Sequence, residues 1–368
     1  MKRFRIFATC DIGPDALRRL TEKGWDLEVY GEIEPPPKGL VLARVRSGVH
    51  ALITTLRDVV DEELLAAGAA AGLRIVAQDA VGFDNIDRAA ANRHRIPFSN
   101  TADVLTEATA EFAFFILGCV ARKTWPSEQM VRERTWSTWH PYFPWLGDEV
   151  SGKTLGVIGT GRIGRSVVKK AVGFDMDVLC HNPGRPDRDL LRAVRRVMEV
   201  RFQEGLSPRL QRIRYTSLDE VLRHADFVSL HVPLTLPGQA SEPTYHLIDE
   251  RRLRMMKPTA FLVNTSRGAI VDEAALARAL LKGTIAGAAL DVFEKEPLPP
   301  DSPLRDPRLA LNLRLFHHFA SAASATRLSP DPEVGMAGRT VQAVIDVLEN
   351  RYGGDPKRMP YVVNKEAF

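Results

Sequence analysis

Along most of the 368-residue chain, short apolar runs alternate with longer stretches whose apolar positions fall three or four apart. In the first hundred residues "FRIFA", "HALITT" and "LRIVAQ" are short and β-rich and predict strands. "VDEELLAAGAAAG" (60–72) predicts a helix entered through acidic residues and closed by Gly72. Strands separated by helices predict parallel βαβ units. A long helical stretch follows at 103–122, and its segment "EFAFFILGCVA" reads as a buried helix. "RTWSTWHPYFPWLGDEV" (134–150), with three Trp among prolines, is too irregular for a helix. The strand pattern resumes with "KTLGVIG", "MDVLCHN", "DFVSLHV", "AFLVNTS" and "AGAALDV", each followed by a turn or helix signal. Region 183–216 carries nine Arg and no Lys, with Leu190, Val194 and Val197 at helical spacing. That spacing predicts an amphipathic helix and loop with a basic outer face.

Composition narrows the class. The length exceeds one ordinary core and predicts two domains, and 45% hydrophobic with 26% charged residues is the balance of a globular protein. A net charge of +4 with interspersed acids is a thin footprint for nucleic acid. The three cysteines, Cys10, Cys119 and Cys180, show no pairing pattern and point to a reducing, cytoplasmic setting. The opening "MKRFRIFATC" has too short an apolar run for a signal peptide, and no window suits a membrane span.

"GKTLGVIGTGRIGRSVVKKA" reads as strand, glycine-rich turn and helix. Gly159, Gly161 and Gly164 form G-x-G-x-x-G in the context that dinucleotide binding requires. The first glycine allows the tight turn, the second lets a pyrophosphate approach, and the third brings helix and strand together at the helix N-terminus. An NAD site usually places an acid about 20 residues on, at the end of the next strand. Here that position is Asn182, with Arg185 and Arg188 following. A neutral residue beside a guanidinium favours NADP over NAD.

Three later segments each offer polar residues where a strand ends. "FLVNTSRGAIVDEAAL" leads to Arg267-Gly268 and then to a helix capped by Asp272. An Arg past a strand's carboxyl end lies on the ligand side of an open sheet, suited to clamping a carboxylate. "AALDVFEKEPLP" places Asp291 inside its strand, then Glu294 and Glu296. "LFHHFASA" offers His317 and His318, which on an extended segment point opposite ways.

With "AVGFDNID" at 80–87, "VLTEATAEFA" at 104–113, "SLHVPLT" at 229–235 and "ALDVFEKEP" at 289–297, these motifs resemble the D-2-hydroxyacid dehydrogenase family over nearly the whole chain, most like its glyoxylate/hydroxypyruvate reductases. The resemblance implies an α/β architecture of two Rossmann-like doubly wound domains with a cleft between them. A flavodoxin-like substrate domain would take 1–101 with 320–368, and the NAD(P)-binding domain 102–319. It implies that Arg267 holds the substrate carboxylate and carbonyl, and that Glu296, directly before Pro297, pairs with the catalytic histidine. That histidine, aligned on "ASA", is His318, with His317 where proline is usual. Backbone N–H groups at Val81 and Gly82 would hold the substrate carboxylate. Cofactor contacts would come from Gly159, Gly161, Arg162, Ile163, Gly164, Asn182, Arg185, Val232, Pro233 and Thr265, with Asp291 bonding the nicotinamide carboxamide. No metal is implied. His231 reads as structural, and His50, His94, His140, His181, His224 and His246 receive no role.

The implied chemistry is hydride delivery to a 2-keto carbon and proton delivery from His318 to its oxygen, with glyoxylate or hydroxypyruvate favoured as substrate. D-lactate, short phosphoglycerate and phosphite dehydrogenases are the alternatives within the class. A dinucleotide-sensing scaffold of the C-terminal-binding-protein type is the alternative outside it. The aromatic 123–150 arm implies a homodimer, with Trp139 reaching the neighbouring site. Ala102-Asp103 depart from the family's usual Pro-Gly at the hinge, and the 183–216 stretch is longer than in compact members.

Overall fold

The computed structural model describes residues 3–142, 145–184 and 186–368. The chain divides into two units, Met1–Leu105 with Ser321–Phe368, and Thr106–Ala320. The first is built on β1 (Arg5–Ala8), β2 (Asp26–Val29), β3 (Ala51–Thr54), β4 (Ile75–Gln78) and β5 (Phe98–Ser99). All are parallel, in the order β2-β1-β3-β4-β5. β3 and β4 are buried at every residue, which is why they read as unbroken apolar runs. The helix expected between them spans Glu62–Ala71. The Asp61 carboxylate accepts the Leu64 N–H at 3.2 Å, and Gly72 closes the helix with φ 89°. Helix Met336–Leu348 returns from the far end of the chain and buries Val341, Val344 and Ile345 with Leu17 and Leu20 of helix Pro14–Thr21.

The second unit carries β6 (Thr154–Ile158), β7 (Asp177–His181), β8 (Ile213–Tyr215), β9 (Phe227–Leu230), β10 (Phe261–Asn264), β11 (Gly287–Leu290) and β12 (Leu313–Leu315). These parallel strands lie in the order β12-β11-β10-β9-β6-β7-β8. The chain winds outward from β6 to β8 and then restarts on the other side of β6 at β9. Ile158 pairs with Leu230, so the loops leaving β6 and β9 emerge side by side at this reversal, where open α/β sheets bind ligands. Helix Thr106–Ala121 packs on helix Arg162–Gly173 through Phe114, Leu117 and Val120 against Val167, Val168 and Ala171. Its Phe115 is exposed, so the expectation of a buried helix holds on one face only.

Other details differ from the sequence reading. The strands it did not specify, β2, β5 and β8, together with β12, which it marked only by its end, are the four sheet edges. They are two to four residues long and, apart from β5, carry charged residues, as edges that discourage further pairing do. The amphipathic helix spans Arg188–Gln203 and buries Leu190, Val194 and Met198; Val197 is exposed, because the inward stripe follows i, i+4, i+8. Its basic face is partly neutralised by Arg192–Asp189 at 2.8 Å and Arg201–Asp175 at 3.1 Å. Asp291 lies just past β11, not within it. Asp103 takes φ 79°, the left-handed region that suits the glycine usual at that position. Trp136, Trp139 and Tyr142 are 55%, 77% and 80% exposed; Phe143 and Pro144 of the same arm lie outside the described residues. Among the described residues no helix is long and apolar enough to cross a membrane.

Candidate active site

The glycine-rich turn sits at the reversal of strand order. Gly159 has φ 93°, and a Cβ there would lie 2.6 Å from the backbone of His231, which crosses beside it. A Cβ on Gly164 would meet the Gly159 carbonyl oxygen at 2.0 Å, so this glycine lets the helix start against the strand. A Cβ on Gly161 would meet nothing within 4 Å. Gly161 is thus demanded neither by its φ of −66° nor by packing. The space beside it, at the N-terminus of a 12-residue helix, suits an approaching phosphate. Arg162 is exposed on the first turn, and Ile163 packs partly into the core. Val232 is buried and Pro233 exposed on the adjoining loop. Val232 O accepts the Ser266 hydroxyl, while the neighbouring Thr265 Oγ1 is buried without a hydrogen-bond partner among the described residues, an open polar valence. These features fit a dinucleotide.

Asn182 is half-buried just past β7. Arg185 lies outside the described residues. The nearest acid in this loop, Asp187, is committed elsewhere: it accepts the Leu190 N–H at 2.9 Å and pairs with Arg165 at 3.1 Å. His231 holds Ser229 Oγ at 2.8 Å, and burial pushes its pKa down to about 4. The ring is therefore neutral near pH 7.

Arg267 follows β10 on a turn shaped by the buried Asn264. The Asn264 side chain donates to Arg267 O at 2.8 Å and accepts the Ser266 N–H at 3.0 Å. Gly268 comes next, and a Cβ there would lie 1.8 Å from the carbonyl carbon of Phe293. Only glycine lets the loop bearing Arg267 cross the loop bearing Glu296. Glu296 Oε1 accepts the Phe293 N–H at 3.0 Å, and Oε2 lies 2.8 Å from His318 Nδ1. Burial pushes the Glu296 carboxyl up. The hydrogen bond and charge of His318, the Phe293 N–H and the Arg267 charge outweigh it and hold the group below its ordinary range. Glu294 takes no part in this pair; it faces His246 at 3.2 Å.

β12 ends at Leu315, so the segment is no longer extended at the two histidines, and the expected alternation of neighbours does not govern them. His318 has φ 56°, an uncommon conformation for a non-glycine residue. Asp291 accounts for it. Its carbonyl accepts the His318 N–H at 2.8 Å, and its carboxylate oxygens accept the Phe319 and Ala320 N–H groups at 2.6 and 2.9 Å. Burial nevertheless holds that carboxyl above its usual range. The buried acid thus pins the backbone that aims His318 at Glu296, a job the sequence did not suggest. His317 is exposed, its ring centroid 5.2 Å from that of Phe319.

In the first unit, the Val81–Gly82 loop follows β4. Val81 O accepts from Asn100 at 2.8 Å and Gly82 O from Gln78 at 3.2 Å. Both carbonyls are thereby tied down, and neither N–H has a partner among the described residues. Asn264, Gly268 and the Asp291 contacts extend the sequence-derived set. The first two stood within the quoted motif, but nothing in their spacing told their roles. Among the described residues no cluster of His, Cys, Asp or Glu is arranged to hold a metal.

Fold and site together define a nicotinamide-dinucleotide oxidoreductase, and comparisons with known proteins place it more closely. Residues 114–314 match the NAD binding domain of the D-isomer specific 2-hydroxyacid dehydrogenases. The chain is 44% identical over 325 residues to a glyoxylate reductase of Korarchaeum cryptofilum, covering 88% of each chain. It resembles the D-lactate dehydrogenase of Aquifex aeolicus solved with NAD and lactic acid, at TM-score 0.74 and 26% identity over 98% of this chain and 99% of that one. It also resembles the NADPH-dependent glyoxylate/hydroxypyruvate reductase of Sinorhizobium meliloti solved with citrate, at TM-score 0.73 and 28% identity over 99% of each. The chain belongs to the D-isomer specific 2-hydroxyacid dehydrogenase family and is an enzyme acting on 2-hydroxy acids.

Proposed function

We propose that this enzyme reduces glyoxylate or hydroxypyruvate to the D-2-hydroxy acid, drawing on NADPH in preference to NADH. The carrying observation is the Glu296–His318 pair at 2.8 Å, set in the same unit as Arg267. The bound dinucleotide supplies the hydride. Glu296 holds His318 at Nδ1, and the His318 ring is the proposed source of the proton taken up by the carbonyl oxygen. Arg267 clamps the substrate carboxylate and stabilises charge developing on the carbonyl oxygen. In the first unit, taken by itself, the Val81 and Gly82 N–H groups, unpartnered among the described residues, are proposed as donors to a substrate carboxylate. Gly159, Gly161, Gly164 and Thr265 would hold the dinucleotide, with Asp291 as the proposed partner of the nicotinamide carboxamide.

Support for NADPH comes from the adenosine side, where Asn182 is neutral and both Asp187 oxygens are engaged. A 2′-phosphate would therefore meet no uncommitted acid there, and Arg185 is proposed as its partner. The test is the initial oxidation rate of NADPH and of NADH with saturating glyoxylate and hydroxypyruvate. Fast turnover with NADPH preferred is expected. Faster turnover with NADH would overturn the cofactor preference alone. Tight dinucleotide binding without turnover of any 2-keto acid would replace the reductase with a dinucleotide-sensing scaffold.

A further inference from the structure

We infer that His246 is a positioning residue that fastens the loop carrying Arg267 to the loop carrying Glu296. This rests on the reading of Arg267 and Glu296 given above. The two loops cross where Gly268 leaves no room for a side chain beneath Phe293 and Glu294. His246 ties each of them. Its backbone N–H donates to Ala269 O at 2.8 Å, two residues beyond Arg267. Its ring Nε2 lies 3.2 Å from Glu294 Oε1, two residues before Glu296.

The surroundings hold the ring in place. The Tyr245 ring stacks on it at 4.0 Å between centroids. Glu294 and Glu273 clasp each other, the Glu294 N–H donating to Glu273 Oε1 at 2.7 Å and the Glu273 N–H to Glu294 Oε1 at 3.1 Å. This fixes Glu294 against the N-terminus of helix Glu273–Leu281. His246 itself has φ 48°, a conformation that side-chain-bearing residues seldom adopt. The neighbouring segment keeps the same register, the Ile248 N–H donating to Ile270 O at 2.9 Å. His246 is half-buried and lies behind Arg267 and Glu296 in the chain of contacts, acting through them.

The test uses His246→Ala, which removes the ring, and His246→Gln, which keeps a side-chain N–H able to reach Glu294. Glu294→Ala and the His246→Ala/Glu294→Ala pair complete a cycle. Expected for His246→Ala is a fall of about tenfold in kcat for the 2-keto acid, the scale that a misplaced catalytic group produces. The dinucleotide KM and the thermal midpoint stay near wild type, His246→Gln recovers most of the rate, and the pair loses no more than either single variant. Three results would overturn the clamp: wild-type kcat in His246→Ala, an equal loss in His246→Gln, or additive losses in the pair. Full activity in Arg267→Ala or Glu296→Gln would instead sink the reading of the site, a pattern distinct from failure of the clamp alone.

Discussion

Glu296 divides its carboxylate between two tasks: Oε1 accepts the Phe293 N–H at 3.0 Å, while Oε2 meets His318 Nδ1 at 2.8 Å. The first bond orients the acid and the second sets its charge beside His318. Because the carboxyl is held below its ordinary range, its negative charge beside His318 is present above that range and is lost as pH falls through the lowered value. In Glu296→Gln the charge is gone at every pH. Reduction should slow by roughly tenfold or more, and the acid-side fall that follows Glu296 protonation in the wild type should be absent. Rate profiles from pH 3 to 8 check this, and an acid limb unchanged by the substitution would count against the pair.

The glycines of the turn separate folding from binding. Gly161→Ala puts a methyl group into open space at an ordinary φ. Its thermal midpoint should match the wild type while dinucleotide binding weakens about tenfold or more, that is by about 1.4 kcal/mol. Gly164→Ala drives a Cβ to 2.0 Å from a carbonyl oxygen and should cost about 1–3 kcal/mol of stability or more. Calorimetry and dinucleotide titration on both variants read the two effects apart.

How far these roles could be read from sequence follows from what each signal measures. β3, β4, β6, β9 and β10 announce themselves because they are buried and apolar, whereas β2, β8 and β12 carry charged residues and β5 has only two residues, so no apolar run marks them. The glycine-rich turn is legible because dinucleotide binding demands glycines at fixed offsets. Arg267, Glu296 and His318 are legible only as a set of motifs. What aims them is a matter of tertiary contact: Asp291 bonding backbone 28 and 29 residues on, Gly268 beneath Phe293, and His246 48 residues before Glu294. No local pattern encodes such pairings.

Glu107 joins the two helices beneath the dinucleotide turn. Hydrogen bonds from Lys169, Lys170 and Ser166 lower its pKa from 4.5 to about 2. A lowered carboxylate pKa means that the stabilisation is present above pH 4.5 and is lost as pH falls toward 2. The side chain is 56% exposed, so the effect is modest and screened by salt. Glu107→Gln should be slightly less stable than wild type at pH 7 and low salt. The gap should close in acid as the wild-type carboxyl takes up its proton, which urea unfolding across pH 2–7 can follow.

Trp136, Trp139 and Tyr142 present a large aromatic surface that is costly to leave in water. We expect a homodimer through this arm, with a sedimentation mass twice the 40.9 kDa of one chain. Replacing the three aromatics by Ser should return the mass toward one chain, and a monomeric wild type at micromolar concentration would refute the assignment.

The central claim, that His318 delivers the proton, is tested most directly by comparing kcat for 2-keto acid reduction in His318→Gln and His317→Gln, with dinucleotide affinity measured on the same samples. The account predicts a loss of about 10²–10⁴-fold for His318→Gln, near-wild-type turnover for His317→Gln, and unchanged dinucleotide affinity in both. Near-wild-type turnover in His318→Gln, or the larger loss falling on His317→Gln, would contradict it.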